Sequence, residues 1–187
     1  VPAFFLALLT AALASFGGRD QRLVSHLSGR LSAGRSLLTV AWLSAIVTGG
    51  LAAAAGAGVA LILPPAAKHM LVAFALLLGG IELAWPWRLR KAEEPTRSAP
   101  AILIVLCSLQ IGDGARLLIL AIAVVTGDPI FAGVGGAIGS GAMLTMGWAM
   151  GPELDRALPL RPLRYAVAGL LLVAGVVIGL SARGIIG

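Results

Sequence analysis

Charge is what this chain has least of. Only 12% of its 187 residues are Asp, Glu, Lys or Arg, about half of the roughly 25% usual in soluble domains, which excludes a conventional soluble fold. Cysteine is nearly missing as well. The single Cys107 rules out an internal disulfide framework and any metal site made from a cysteine cluster, and in an apolar stretch it is a small packing residue. The chain has two histidines, no phosphate-binding glycine loop, no HExxH pair and no nucleophile beside a base, so it carries none of the local signatures of an enzyme. No Lys or Arg precedes the first apolar run. Although Ala12-Leu13-Ala14 has the small-residue spacing of a signal-peptide cleavage site, the basic n-region is missing, and the run is read as the start of a membrane helix.

What is present is apolar length. With 59% hydrophobic residues and a mean hydropathy of +0.99, the chain reads as an all-α integral membrane protein whose first partner is the lipid bilayer. About 20 residues of helix, at about 1.5 Å each, cross the roughly 30 Å hydrocarbon layer. Six spans meet that length or approach it: 2–27, 37–59, 67–85, 101–125, 130–150 and 165–180. The first is interrupted by Gly17-Gly18 and Arg19-Asp20-Gln21-Arg22, and the third ends in Trp85-Pro86-Trp87, rings suited to the membrane interface. In the fifth, Gly135 and Gly139, and Ala132, Gly136 and Ser140, recur every four residues and let helix backbones approach closely. The polar run 88–100 is a solvated linker between halves 1–87 and 101–187, and 151–164 is read as a polar loop.

The net charge of +6 is explained by loops rather than by nucleic acid, which is excluded as a partner. Arg30, Arg35, Arg88, Arg90, Lys91, Arg97, Arg156, Arg161 and Arg164 fall on one side, and only Lys68 and Arg183 on the other. The first side is therefore expected to be cytoplasmic, with both termini outside a bacterial-type inner membrane.

The two halves resemble each other. A shift of 95 residues lays Val72-Ala73 on Val167-Ala168, Leu76-Leu77 on Leu171-Leu172 and Gly80 on Gly175. The same shift lays Ser15-Phe16-Gly17-Gly18-Arg19-Asp20-Gln21 on Gln110-Ile111-Gly112-Asp113-Gly114-Ala115-Arg116, so both copies interrupt an apolar helix with polar residues. Three spans per half put the halves in opposite orientations, which predicts two inverted three-helix repeats meeting near mid-membrane. An ionisable group at that depth costs from about 2.5 to above 10 kcal/mol and needs a partner. Asp113 and Arg116, three apart on one helix face, are read as an ion pair, with Asp113 as a cation or proton site in the functional alternative. Ser15, Arg19, Arg22 and His26 form a stripe running toward the headgroups, and Glu82 is expected to reach the interface.

At these heptapeptides the sequence resembles a family of small two-repeat membrane proteins that includes the Golgi manganese and calcium transporters and bacterial manganese exporters, related to the LysE-type exporters. That family carries Glu-x-Gly-Asp-[Lys/Arg]-[Ser/Thr], commonly followed by Gln, on the first helix of each repeat. Its glutamate falls on Ser15 and Gln110, its glycine on Gly17 and Gly112, and its aspartate on Gly18 and Asp113. Its basic position falls on Arg19 and Gly114, its hydroxyl on Asp20 and Ala115, and its Gln on Gln21 and Arg116. Of four expected carboxylates, one stands in place. Asp20, two residues past the lost acid, turns about 200° away on a regular helix and reaches the seam only where Gly17-Gly18 unwinds it. The resemblance implies a secondary transporter exchanging manganese or calcium for protons, with Asp113 and Gln110 as metal ligands and no resident cofactor. The lost acids leave a second reading open: a non-transporting paralogue, a scaffold or accessory subunit in a homo-oligomer or larger membrane complex, with ion pairs in place of the metal site.

Overall fold

The computed structural model describes residues 1–31, 34–85 and 98–185, and these are helical with no strand among them. Among the described residues nine α-helices follow in order: α1 Pro2–Ser15, α2 Arg19–Arg30, α3 Arg35–Ala60, α4 Pro65–Ala84, α5 Ala99–Ile111, α6 Gly114–Thr126, α7 Pro129–Met150, α8 Leu154–Ala157 and α9 Leu160–Ala182. Proline near the start of α1, α4, α5 and α7 sets a helical φ where no N–H is needed. Gly127, at φ +69°, ends α6 in a left-handed cap.

Among the described residues four helical segments are long and apolar enough to cross a membrane, namely α3, α4, α9 and α7 with its continuation to Ala157. Two more candidates are bent pairs: α1 and α2 meet at 64°, and α5 and α6 at 61°. The first bend lies where the interruption of span 2–27 predicts it. The second corrects the continuous helix expected over 101–125, because Asp113 leaves the helix to cap the next one. The loop expected over 151–164 is also corrected: a 3₁₀ turn Gly151–Glu153 leads into α8, and α9 begins at Leu160 and includes Arg161 and Arg164. Most of the linker, 88–97, lies outside the described residues, and with it Arg88, Arg90, Lys91 and Arg97, as does the Pro86-Trp87 part of the interfacial motif.

Element starts keep the 95-residue offset. Arg19 of α2 corresponds to Gly114 of α6, and Pro65 of α4 to Leu160 of α9. Contacts repeat across it too. A Cβ placed on Gly80 would meet Leu172 and the Ala168 carbonyl, and one placed on Gly175 would meet Leu77 and the Ala73 carbonyl, which are the same pairs with the halves exchanged. Since residue numbers rise on one helix as they fall on the other, α4 and α9 run antiparallel. By the same test α3 is antiparallel to α7, with Gly49 on Ala137 and Gly133 on Ala53. In contrast, α1 runs parallel to α7, with Gly135 on the Phe4 carbonyl and Gly139 on the Leu8 carbonyl. The expected four-residue stripe of α7 thus seats α1 backbone to backbone. The packed interior is alanine-rich, while Phe5, Leu9, Leu51, Phe74, Leu170 and Val173 stay more than half exposed, an apolar exterior that suits lipid and not water.

Candidate functional site

Both bends are made locally. At the first, Gly17 takes φ +64°, a conformation open to glycine without strain, and its N–H donates to Gln21 Oε1 at 2.6 Å. Here α2 begins at Arg19, and Asp20 in its first turn accepts the Gln21 N–H through Oδ1 at 2.8 Å. At the second, Asp113 is the N-cap of α6. Its Oδ1 accepts the Arg116 N–H at 2.8 Å, satisfying one of the orphan donors of a helix start.

The two bends touch. Gln110 Nε2 donates to Asp20 Oδ2 at 3.0 Å, joining the halves through two fully buried side chains. From Gln110 the network runs to Thr48 of α3, whose hydroxyl shares its one proton between the Ser44 carbonyl and Gln110 Oε1, at 2.7 and 2.9 Å. The Thr48 hydroxyl oxygen in turn accepts the Arg116 Nε–H at 2.9 Å, and Arg116 Nη1 pairs with Asp113 Oδ2 at 3.2 Å. On the other flank, Glu82 takes Arg19 Nη2 at 2.9 Å on one oxygen and the Gly114 N–H on the other. Arg164 lies over Gly17, where a Cβ would come within 2.9 Å of its stem, and donates to the Trp85 carbonyl at 3.2 Å. Three guanidiniums, Arg19, Arg116 and Arg164, thus face three carboxylates, Asp20, Glu82 and Asp113. Two of these charge pairs are made, Arg19 with Glu82 and Arg116 with Asp113, and Asp20 is held by Gln110, while among the described residues Arg116 Nη2 and Arg164 Nε are buried without a hydrogen-bond partner. A buried charge depends on such pairing.

Most of the residues singled out in the sequence come together here: Gly17, Gly18, Arg19, Asp20, Gln21, Gln110, Asp113 and Arg116 all belong to the network or its turns. The ion pair of Asp113 with Arg116 is present. Asp20 faces the seam, since Gly17 unwinds the helix before it. It takes Gln110, and Arg22 goes instead to Asp155 at 3.5 Å. Among the described residues the buried Ser15 hydroxyl, beside the seam, and the buried His26 Nε2 have no hydrogen-bond partner. Gly112 faces open space, so the two bends meet through Gln110 and Asp20 and not through their glycines. Glu82 was expected at the interface and is instead drawn to the second bend. Glu82, Thr48 and Arg164 are the site residues missed by the motif comparison, because none lies on a broken span. The only signal for Glu82 was an acid in an otherwise apolar span.

Asp113 and Gln110, the metal ligands implied by the resemblance, are each engaged by protein: Asp113 by Arg116, and Gln110 by Asp20 and Thr48. Among the described residues no three His, Cys, Asp or Glu side chains form a group that could hold a metal ion. Two spaces adjoin the network. A void of about 20 Å³, bordered by Ser15, Asp20, Glu82, Asp113 and Arg164, is the size of one water. A cavity of about 830 Å³ opens from Arg19, Glu82, Asp113 and Arg116 along α3, α4 and α6. Comparison with protein-family models, curated proteins and solved structures finds no match to this chain.

Proposed function

We propose that this chain crosses the membrane six times as two inverted three-helix repeats and works as a secondary transporter, its binding centre at the seam where the two broken spans meet. The observation that carries the reading is the Gln110–Asp20 bond between the bends. A polar contact buried between apolar spans is costly, and broken helices facing one another across a repeat interface are where transporters of this architecture place their sites. The shared offset of element starts, the exchanged contacts of Gly80 and Gly175, and the helix directions support the repeat. The same directions fit an even number of crossings, with both termini on one side and the basic loops on the other.

For the species carried, we take the cation that the resemblance implies, manganese or calcium, exchanged for protons. In this state the Arg116 guanidinium stands where that cation would, so the Asp113 carboxylate is neutralised by a tethered charge. A dication prefers several anionic oxygens, and here it has to displace Arg116 to gain those of Asp113. Arg116 is thus an internal competitor for the site, and cation binding and Arg116 release are one step.

The second reading, a non-transporting scaffold or accessory subunit, is favoured by the same ion pair, since a carboxylate permanently held by Arg116 takes Asp113 out of any exchange. Proteoliposomes separate the two. Under a pH gradient, manganese or calcium uptake above that of empty vesicles in the wild type, lost in Asp113→Asn, supports the exchanger. Uptake equal to that of empty vesicles in both, with the protein folded, supports the scaffold.

A further inference from the structure

The 830 Å³ cavity is larger than an ion needs and falls in the range of about 300–1,000 Å³ typical of sites for organic ligands. It is bounded by α3 and α4, and α6, which packs against both, forms its floor. Its composition is uneven. Leu51, Ala55, Leu78 and Leu120 make long apolar walls, and Arg19, Glu82 and Asp113 gather at one end. The rim is lipid-facing: Leu51 is 57% exposed, Leu78 52% and Ile81 49%. With α3 and α4 as membrane spans, the opening leads sideways into the bilayer.

The charges at the polar end set the headgroup. Arg19 is paired with Glu82 and Arg116 with Asp113, so the end as a whole is neutral. A neutral cluster exerts no net pull on a simple anion or cation, but its fixed opposite charges match a group carrying both signs. We infer that the cavity binds one membrane lipid with an ammonium-and-phosphate headgroup, its ammonium toward Glu82 and Asp113, its phosphate toward Arg19, and an acyl chain along the α3–α4 walls. This rests on the membrane placement of α3 and α4 and requires no transport.

Native mass spectrometry of the intact protein, released from micelles holding equal phosphatidylethanolamine and phosphatidylglycerol, tests it. The wild type should retain one phosphatidylethanolamine, preferred over phosphatidylglycerol by about tenfold. Ala55→Trp fills the cavity without touching an ion pair, and should lower retention about tenfold at an unchanged melting temperature. Glu82→Gln should bring the two lipids toward parity. Equal retention by Ala55→Trp and wild type overturns the inference, as does retention of phosphatidylglycerol equal to phosphatidylethanolamine in the wild type. Displacement of the lipid by soluble phosphoethanolamine overturns the lipid assignment in favour of a water-borne zwitterion. Lipid retained without cation flux contradicts only the exchanger, and flux without retained lipid contradicts only this proposal.

Discussion

Consider removal of Asp113. Its carboxylate does two jobs, capping α6 through the Arg116 N–H and neutralising the Arg116 guanidinium, which is 3% exposed. Losing an N-cap costs about 1 kcal/mol, and stranding one member of a buried ion pair about 3–5 kcal/mol. Asp113 itself is 15% exposed beside the cavity, so the low end of that range applies. Asp113→Asn keeps a capping oxygen and should cost about 3 kcal/mol. Asp113→Ala loses the cap as well and should cost about 4 kcal/mol. Arg116→Gln strands the carboxylate and should also cost about 3 kcal/mol, whereas Asp113→Asn with Arg116→Gln strands no charge and should cost less than the sum by about 2 kcal/mol or more. Equilibrium unfolding in mixed micelles, followed by circular dichroism, reads all four. If the double variant loses the sum of the two single losses, the pair is not coupled and the network described here does not exist.

Thr48→Val keeps shape but removes the hydroxyl shared by Gln110 and Arg116, and should destabilise by about 1–3 kcal/mol in the same assay. A loss within about 0.5 kcal/mol of zero would place that hydroxyl outside the network. Gly80→Ala and Gly175→Ala meet matched surroundings, a leucine Cγ at 2.8 and 2.9 Å and a carbonyl oxygen at 3.0 and 3.1 Å. Each should lose about 1–3 kcal/mol, and by nearly equal amounts; clearly unequal losses would contradict the repeated packing of α4 and α9. Gly139→Ala drives a methyl into the Leu8 carbonyl and should destabilise, while Gly50→Ala, with nothing within 4 Å, should gain up to about 1 kcal/mol from helix propensity. Thermal melts that rank these two the other way would contradict the seating of α1 on α7.

Helix positions were largely legible because apolar length and proline or glycine punctuation act locally. The bend at Gly17 could be foreseen, since two glycines followed by four polar residues cannot continue an apolar helix. The bend at Gly112 was missed for a definable reason: apolar residues run on both sides of Gly112-Asp113-Gly114, and what ends α5 is Asp113 choosing the cap of α6 over a place inside one helix. The helical state of 160–164 was hidden by its arginines, one exposed at Arg161 and the other, Arg164, turned to the Trp85 carbonyl. Side-chain destinations were the least legible. Glu82 and Thr48 join the seam through α4 and α3 packing against α6, and nothing in the order of residues says which face of those spans turns inward. The Asp113–Arg116 pair was readable from spacing alone, although it forms across a helix start and not along a helix face.

All of this depends on the two bends lying against each other inside the protein. Asp20→Cys with Gln110→Cys, made on Cys107→Ser with a protease site introduced into 86–97, tests that contact in native membranes with a short bis-thiol cross-linker. After cleavage and denaturation the halves should migrate together, while Asp20→Cys paired with Ser108→Cys, on the exposed face of α5, should fall apart. Separation of both pairs would contradict the seam.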